Sequence, residues 1–327
     1  MDYFYSDEAG LSERLTTHIA PFWQQHVRIG EFQGVDGVTI VHAHVLHPNP
    51  IGSIVISAGR VESLVKYQEL IFELYQNGYS VFIHDHRGQG LSGRMHSDPQ
   101  RGYVADFDHY VQDMATFYET VVAQHSQTQP ILLAHSMGCA IGALYLLQYP
   151  QHFCKAVFSA PMFGIKSPLP PWLATSVIHA GITLNELVSR KPWYFLSQTP
   201  YIDVPFAINT LSHSKLRYSH FRQQYQQQPS LQLGGVTYQW LDAAVEAMDH
   251  VEQHASEILT PLLVLQAGGD HVVDNKAQSH ICALLPHCDK RVIKDARHEL
   301  MMESDEYRQP ALALTYEFMR LPEHPAQ

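Results

Sequence analysis

The chain has 327 residues, of which 45% are hydrophobic and 16% charged, with a formal net charge of −11. That balance is too apolar for a disordered chain and too polar for a membrane bundle. The acidic surplus, with no basic motif to offset it, excludes a default nucleic-acid binder.

The N-terminal residues carry early acids and lack a basic stretch followed by an apolar one, so no signal peptide is expected. No window approaches the apolar length needed to span a bilayer. Cys139, Cys154, Cys282 and Cys288 contain no Cys-x-x-Cys pair and read as reduced thiols. The expected location is cytoplasmic, with peripheral contact at the inner face of the membrane left open.

In chain order, residues 38–46 alternate as a strand. His42 and His44 share one face of it, a metal-compatible spacing, but neither Cys nor carboxylate joins them nearby. The favoured reading is hydrogen-bonded or solvated histidines, with no metal. Residues 53–57 (SIVIS) form a buried β-branched strand, and 64–75 a helix that stops at Asn77-Gly78. A strand follows at 80–83, a helix at 107–123, a strand at 131–134, a small-residue helix to 147 and a strand at 156–159. From 163 to 250 the pattern breaks into helical stretches and prolines. Strands return at 262–266 and 291–294. Strands alternating with helices predict an α/β fold, with a mostly parallel central sheet, helices on both faces and an inserted helical cap. The expected division is a first core part at 1–162, the cap at 163–250 and a second core part at 251–327.

In parallel sheets of this kind, chemistry sits beyond the carboxyl ends of the strands. Ala134-His135-Ser136-Met137-Gly138 follows directly on ILLA, so Ser136 stands at the apex of a strand–turn–helix. Small residues on either side let strand and helix pass closely, although the usual first Gly is Ala134 here. Asp270, in QAGGDHVVD, follows another strand, and His298, in DARHEL, a third. A serine nucleophile needs a base and the base an orienting acid, and the order Ser136, Asp270, His298 supplies both. Taken singly, Asp270 reads as a turn residue and His298 as a cap or surface residue. Asp274 is the nearest rival acid, and His271, His280 and His287 are the rival bases. Two amides are expected to hold the oxyanion: that of Met137, and that of Arg60 in the Gly59-containing loop after SIVIS. The Arg60 side chain is expected to form a salt bridge, with an anionic substrate group as the alternative.

The segments SAGRVES (57–63), HDHRGQGLSGR (84–94), AHSMG (134–138), SAPM (159–162), GGDHVVD (268–274) and RHEL (297–300) together resemble the α/β-hydrolase family, and within it the monoglyceride lipase and lysophospholipase L2 group. Ala58-Gly59 stands where that family commonly has His-Gly, which together with the following Gly-Arg-x-Glu-Ser is more similar to the bacterial lysophospholipases. The resemblance implies an esterase with a Ser-Asp-His triad acting on a single-chain lipid under a helical lid, without cofactor. In HDHRG, Asp85 and Arg87 are expected to hold loops near the site.

Between residues 163 and 228, six basic residues (Lys166, Arg190, Lys191, Lys215, Arg217, Arg222) face two acids, a net charge of +4. Such a cap is expected to attract phosphate-bearing lipid or an anionic membrane surface, the alternative being scattered surface charge. The apolar stretch 170–188, with Trp172, Ile178 and Ile182, reads equally as an acyl tunnel, an interface-seeking face or the core of the cap itself. Together with Gly59 and His135, these are the candidate substrate-contacting residues. The expected activity is fatty-acid release from a lysophospholipid, falling as acid protonates His298. Alternatives are a monoacylglycerol lipase, a broad carboxylesterase and a catalytically silent ligand-binding relative.

Overall fold

The computed structural model describes residues 3–166 and 170–320. Residues 1–2 and 167–169 and the tail 321–327, which fall within the three expected domains, lie outside the described residues.

Helix α1 (Glu8–Arg14) starts at Asp7, whose carboxylate accepts the Gly10 amide at 2.9 Å. It continues through a π-helical stretch into α2 (Ala20–His26). Strands β1 (Arg28–Gln33) and β2 (Thr39–Val45) then form an antiparallel hairpin. Strand β1 is absent from the sequence expectation. It is an edge strand on which Ile29 is 55% exposed, so it carries no apolar run. The hairpin turns at Asp36 and Gly37, both left-handed with φ of 56° and 69°, and Asp-Gly is the sequence signal that marks it.

Six parallel strands follow: β3 (Gly52–Ser57), β4 (Tyr79–His84), β5 (Ile131–His135), β6 (Lys155–Ser159), β7 (Leu262–Ala267) and β8 (Cys288–Ile293). The sheet order is β1-β2-β4-β3-β5-β6-β7-β8. The four strands β4, β5, β6 and β7 are buried along their whole length, as strands covered on both faces must be. Strand β8 begins earlier than the expected 291, because Asp289, Lys290 and Arg291 sit on the exposed outer edge. Charges there blunt pairing with other chains, and they read as loop in the sequence.

Helix α3 (Gln68–Gln76) follows β3 and stops where Gly78 takes a φ of 92°. Helix α4 (Asp108–Phe117) passes through a π-helical stretch into α5 (Ala123–His125), spanning the expected 107–123 helix. Helix α6 (Met137–Gln148) follows β5, and the chain then leaves the sheet after β6 for α7 (Pro171–Val188), α8 (Lys215–Gln227) and α9 (Tyr238–His254). Helices α10 (Asn275–Leu284) and α11 (Asp305–Arg320) complete the fold. One core gathers α4, α6, α9 and α10 against Phe82, Leu132 and Phe158. The other gathers α1, α2, α3 and α11 against Ile54, Ile83 and Leu133. Helix α9 thus contributes Trp240, Ala244 and Val251 to a sheet-covering core.

His42 and His44 lie side by side with ring centroids 5.9 Å apart, and His44 is 5.0 Å from His125. Burial and these neighbours push His44 down to about 4, so its ring is neutral at pH 7, and burial lowers His42 as well. Among the described residues no three His, Cys, Asp or Glu are grouped to hold a metal ion, and no disulfide joins the four cysteines. No helix among them is long and apolar enough to cross a membrane.

Candidate active site

Strand β5 ends at His135 and α6 begins at Met137, so Ser136 alone makes the turn, with φ 51° and ψ −116°. A non-glycine residue in that region is strained, and the surrounding hydrogen bonds hold it there. The Ser136 amide donates to Ser159 at 3.0 Å, and its carbonyl accepts the amides of Met162 and Cys139, each at 3.0 Å. The helix can start so close to the sheet because position 138 is glycine: a Cβ there would collide with the carbonyl oxygens of Ser57 and Ala58. Ala134, two residues before the serine, fits inside the core at 1% exposure.

The structure brings Ser136, Asp270 and His298 together from the ends of β5, β7 and β8. His298 Nε2 lies 2.9 Å from Ser136 Oγ, and Nδ1 lies 2.7 Å from Asp270 Oδ2. All three are buried, at 7%, 2% and 4% exposure. Burial alone would raise the Asp270 carboxyl. The hydrogen bond and charge of His298 and the amides of Val272 and Val273 overcome it and hold the group below the ordinary carboxylate value. The rivals are placed elsewhere. Asp274 caps α10 by accepting the Lys276 amide, His280 pairs with Glu252, and His271 and His287 are exposed.

The loop after β3 is held from both sides. The Gly59 amide donates to Glu62 Oε2 at 2.6 Å, and the Val61 amide to Gln89 Oε1 at 3.3 Å. Between them the Arg60 amide has no protein acceptor among the described residues. Val61, a β-branched residue, is forced to φ 65°. No side chain fits at position 59, where a Cβ would stand 2.9 Å from both Glu62 and His135. A cavity of about 440 Å³ opens above Ser136 and His298, walled by Met162, Val236, Trp240 and Val273 with Arg60 and Arg222.

Residues 48–305 match the family described as serine aminopeptidase, S33 (Hydrolase_4). The chain belongs to this hydrolase family. The lysophospholipase L2 of Escherichia coli (strain K12) is 36% identical over 310 residues, covering 92% of this chain and 89% of that protein. The monoglyceride lipase of Rattus norvegicus is 26% identical over 259 residues, covering 79% of this chain and 78% of that one. A crystal structure of a soluble variant of monoglyceride lipase from Saccharomyces cerevisiae shares the fold with a TM-score of 0.67 at 17% identity, covering 90% of this chain and 95% of that chain. The expected α/β-hydrolase fold and family are borne out, and the protein is an enzyme, a serine ester hydrolase.

Several expectations about this hydrolase need correction. The Arg60 guanidinium forms no salt bridge: among the described residues no carboxylate lies within 4.0 Å. It lies instead 5.2 Å from the Trp240 ring centroid, with Nη2 donating to the Gly234 carbonyl at 2.7 Å. Trp172, Ile178 and Ile182 are not on the cavity wall: α7 packs on α9, and none of its described side chains lines the cavity. Ile178 is buried, Ile182 half-buried and Trp172 71% exposed. Nor do the six basic residues of the cap share one surface. Arg217 is buried at 3% exposure, bound to Glu69 at 2.9 Å and Asp305 at 3.0 Å, and Lys166 Nζ donates to the Asp270 carbonyl.

His135 does line the cavity, with Nδ1 3.1 Å from the Ser159 carbonyl and its ring 4.8 Å from that of His298. Asp85 accepts the amides of Leu64 and Leu91, each at 2.6 Å, and Arg87 grips Asp113 through two bonds of 2.7 Å. Sequence reasoning missed the ion cluster under the loop. Lys66 Nζ bridges Glu62 and Glu299 at 2.7 Å each, and Tyr67 donates to Glu62 at 2.6 Å. Burial alone would raise the Glu62 carboxyl, but Lys66 and its hydrogen bonds hold it well below the usual range. The only sequence signal was that Glu62 and Glu299 flank the Arg60 loop and His298.

Proposed function

We propose that this hydrolase is a lysophospholipase, releasing the fatty acid of a single-chain phospholipid through Ser136. The observation that carries the reading is the hydrogen-bonded line from Ser136 through His298 to Asp270, opening on a cavity walled by both apolar and charged side chains. The resemblance to the Escherichia coli lysophospholipase over nearly the whole chain supports the substrate class.

In this mechanism Asp270 accepts from Nδ1–H of His298, which leaves Nε2 to take the Ser136 proton as Oγ attacks the acyl carbonyl. The amides of Met137 and Arg60 donate to the oxyanion. His298 then protonates the departing glycerophospho alcohol, and a water deprotonated by His298 releases the fatty acid. No cofactor is needed. The segment 163–250 acts as the cap between core parts 1–162 and 251–327, with α9 serving both cap and core. Trp172, Leu187 and Val188, all more than two-thirds exposed on α7, favour peripheral contact with a lipid surface, in keeping with a cytoplasmic enzyme at the inner face of the membrane.

The test is fatty-acid release from lysophosphatidylcholine, lysophosphatidylglycerol and monoacylglycerol at matched concentrations, with Ser136→Ala as the blank. Faster turnover of the lysophospholipids supports the reading. Faster turnover of monoacylglycerol replaces it with a monoacylglycerol lipase, the reading that the rat relative favours. Unchanged turnover in Ser136→Ala removes the mechanism.

A further inference from the structure

Burying a cation without a counter-charge costs several kcal/mol, so proteins pair such groups. Two of the three cations on the cavity wall follow that rule. Lys66 sits between Glu62 and Glu299. Arg222 stacks on Tyr201, Tyr218 and Phe221 and has Asp203 at 3.8 Å. Among the described residues Arg60 has no carboxylate partner. Its Nε is buried without a hydrogen-bond partner, and so is the hydroxyl of Tyr194, close enough to act on its charge. Burial lowers the guanidinium to about 10, which leaves it a full cation at pH 7. The place is shaped for this side chain: Gly102 gives way to Nη2 where any Cβ would collide with it, and Trp240 supplies a flat face.

Resting on the lysophospholipase reading, we propose that the Arg60 side chain binds the phosphodiester of the head group. The backbone amide of Arg60 faces the ester end of the substrate while its methylene stem carries the guanidinium away along the cavity wall. A lysophospholipid has the same layout, an ester and a phosphate separated by a glycerol backbone. A phosphodiester monoanion would give the Arg60 guanidinium the adjacent counter-charge it lacks, since Glu62 and Glu299 are both turned to Lys66 and neither lies within 4.0 Å of it. A guanidinium can meet two phosphate oxygens at once, whereas a neutral monoacylglycerol offers it hydroxyl acceptors but no counter-charge. Head-group choice then lies in the loop that also contributes to catalysis, and the exposed basic residues of the cap are not needed for it.

The experiment measures kcat/KM for lysophosphatidylglycerol and for monoacylglycerol in the wild type, Arg60→Met and Arg60→Lys. The readout is the ratio of the two substrates, because the Arg60 amide serves both. The ratio is expected to fall by about tenfold or more in Arg60→Met, through KM, and to recover in part in Arg60→Lys. An unchanged ratio overturns the proposal. A second arm uses a water-soluble neutral ester as substrate and glycerophosphoglycerol or inorganic phosphate as inhibitor. Inhibition by the glycerophosphodiester is expected to weaken about tenfold in Arg60→Met. Equal inhibition of the two proteins overturns the subsite, and inorganic phosphate matching the diester overturns its assignment to a head group. This arm decides the point even if the wild type proves inactive on lysophospholipids, so the two readings fail separately.

Discussion

Gly138 presses so closely on Ser57 that any side chain on it would meet the Ser57 carbonyl oxygen before α6 could start. The elbow at Ser136 therefore depends on a missing methyl group two residues away. Gly138→Ala must push α6 off β3 or twist Ser136 out of line with His298. Esterase activity is expected to fall by about 10²-fold or more, since misplacing a reacting group by about 1 Å costs that much. A steady-state assay alongside a melting curve checks it, and wild-type activity would show that the helix can shift freely.

Lys66 holds two buried carboxylates together. Lys66→Met leaves Glu62 and Glu299 facing each other without the cation, and removing one partner of a buried pair costs roughly 3–5 kcal/mol. Glu62 also anchors the Gly59 amide, so activity should drop along with stability. Chemical denaturation measures the first effect. A loss below about 1 kcal/mol would mean that water reaches the pair.

Acid should destabilise the enzyme through two buried histidines. Burial drives His86 down to about 4 and His84 well below its ordinary value, and neither ring nitrogen of His84 has a partner. Both are neutral when folded but gain a proton near pH 6.5 when unfolded. Their contribution is complete above 6.5 and is lost as pH falls toward 4, about 3 kcal/mol for His86 alone. The buried Asp85 carboxyl, raised to about 7, works in the opposite direction, so the check is the midpoint difference between the wild type and His86→Asn from pH 7.5 to 4.5: it should shrink toward acid, and a constant difference would contradict the neutral ring.

Arg217 fastens the cap to the body. Besides Glu69 and Asp305, it donates to the backbone carbonyls of Glu303 and Ser6. Arg217→Met is expected to cost roughly 3–5 kcal/mol and to speed hydrogen exchange in α8. Lys215→Ala, on the exposed face of the same helix, should change neither. Equal effects would place Arg217 among ordinary surface charges.

Ser136 and Asp270 were legible because each follows a buried strand, and strands of that kind are apolar runs in any sequence; His298 follows the exposed edge strand β8, of which only the apolar end stood out in the sequence. Strand β1 was not, since a half-exposed edge leaves no such run and only Asp36-Gly37 marked the turn. The Glu62–Lys66–Glu299 cluster joins positions more than 200 residues apart, which no local pattern reports. Arg217 was misread for a related reason. A charge count cannot tell a solvated arginine from a buried one, and its partners Glu69 and Asp305 lie far along the chain.

The cavity wall formed by Phe221, Arg222 and Tyr225 belongs to α8, and α8 is tied through Arg217 to the carbonyl of Ser6 and through Ser214 to Glu8. The N-terminal segment thus works as a strut reaching the substrate chamber from the opposite end of the chain. Trimming it amounts to remodelling the cavity above Ser136.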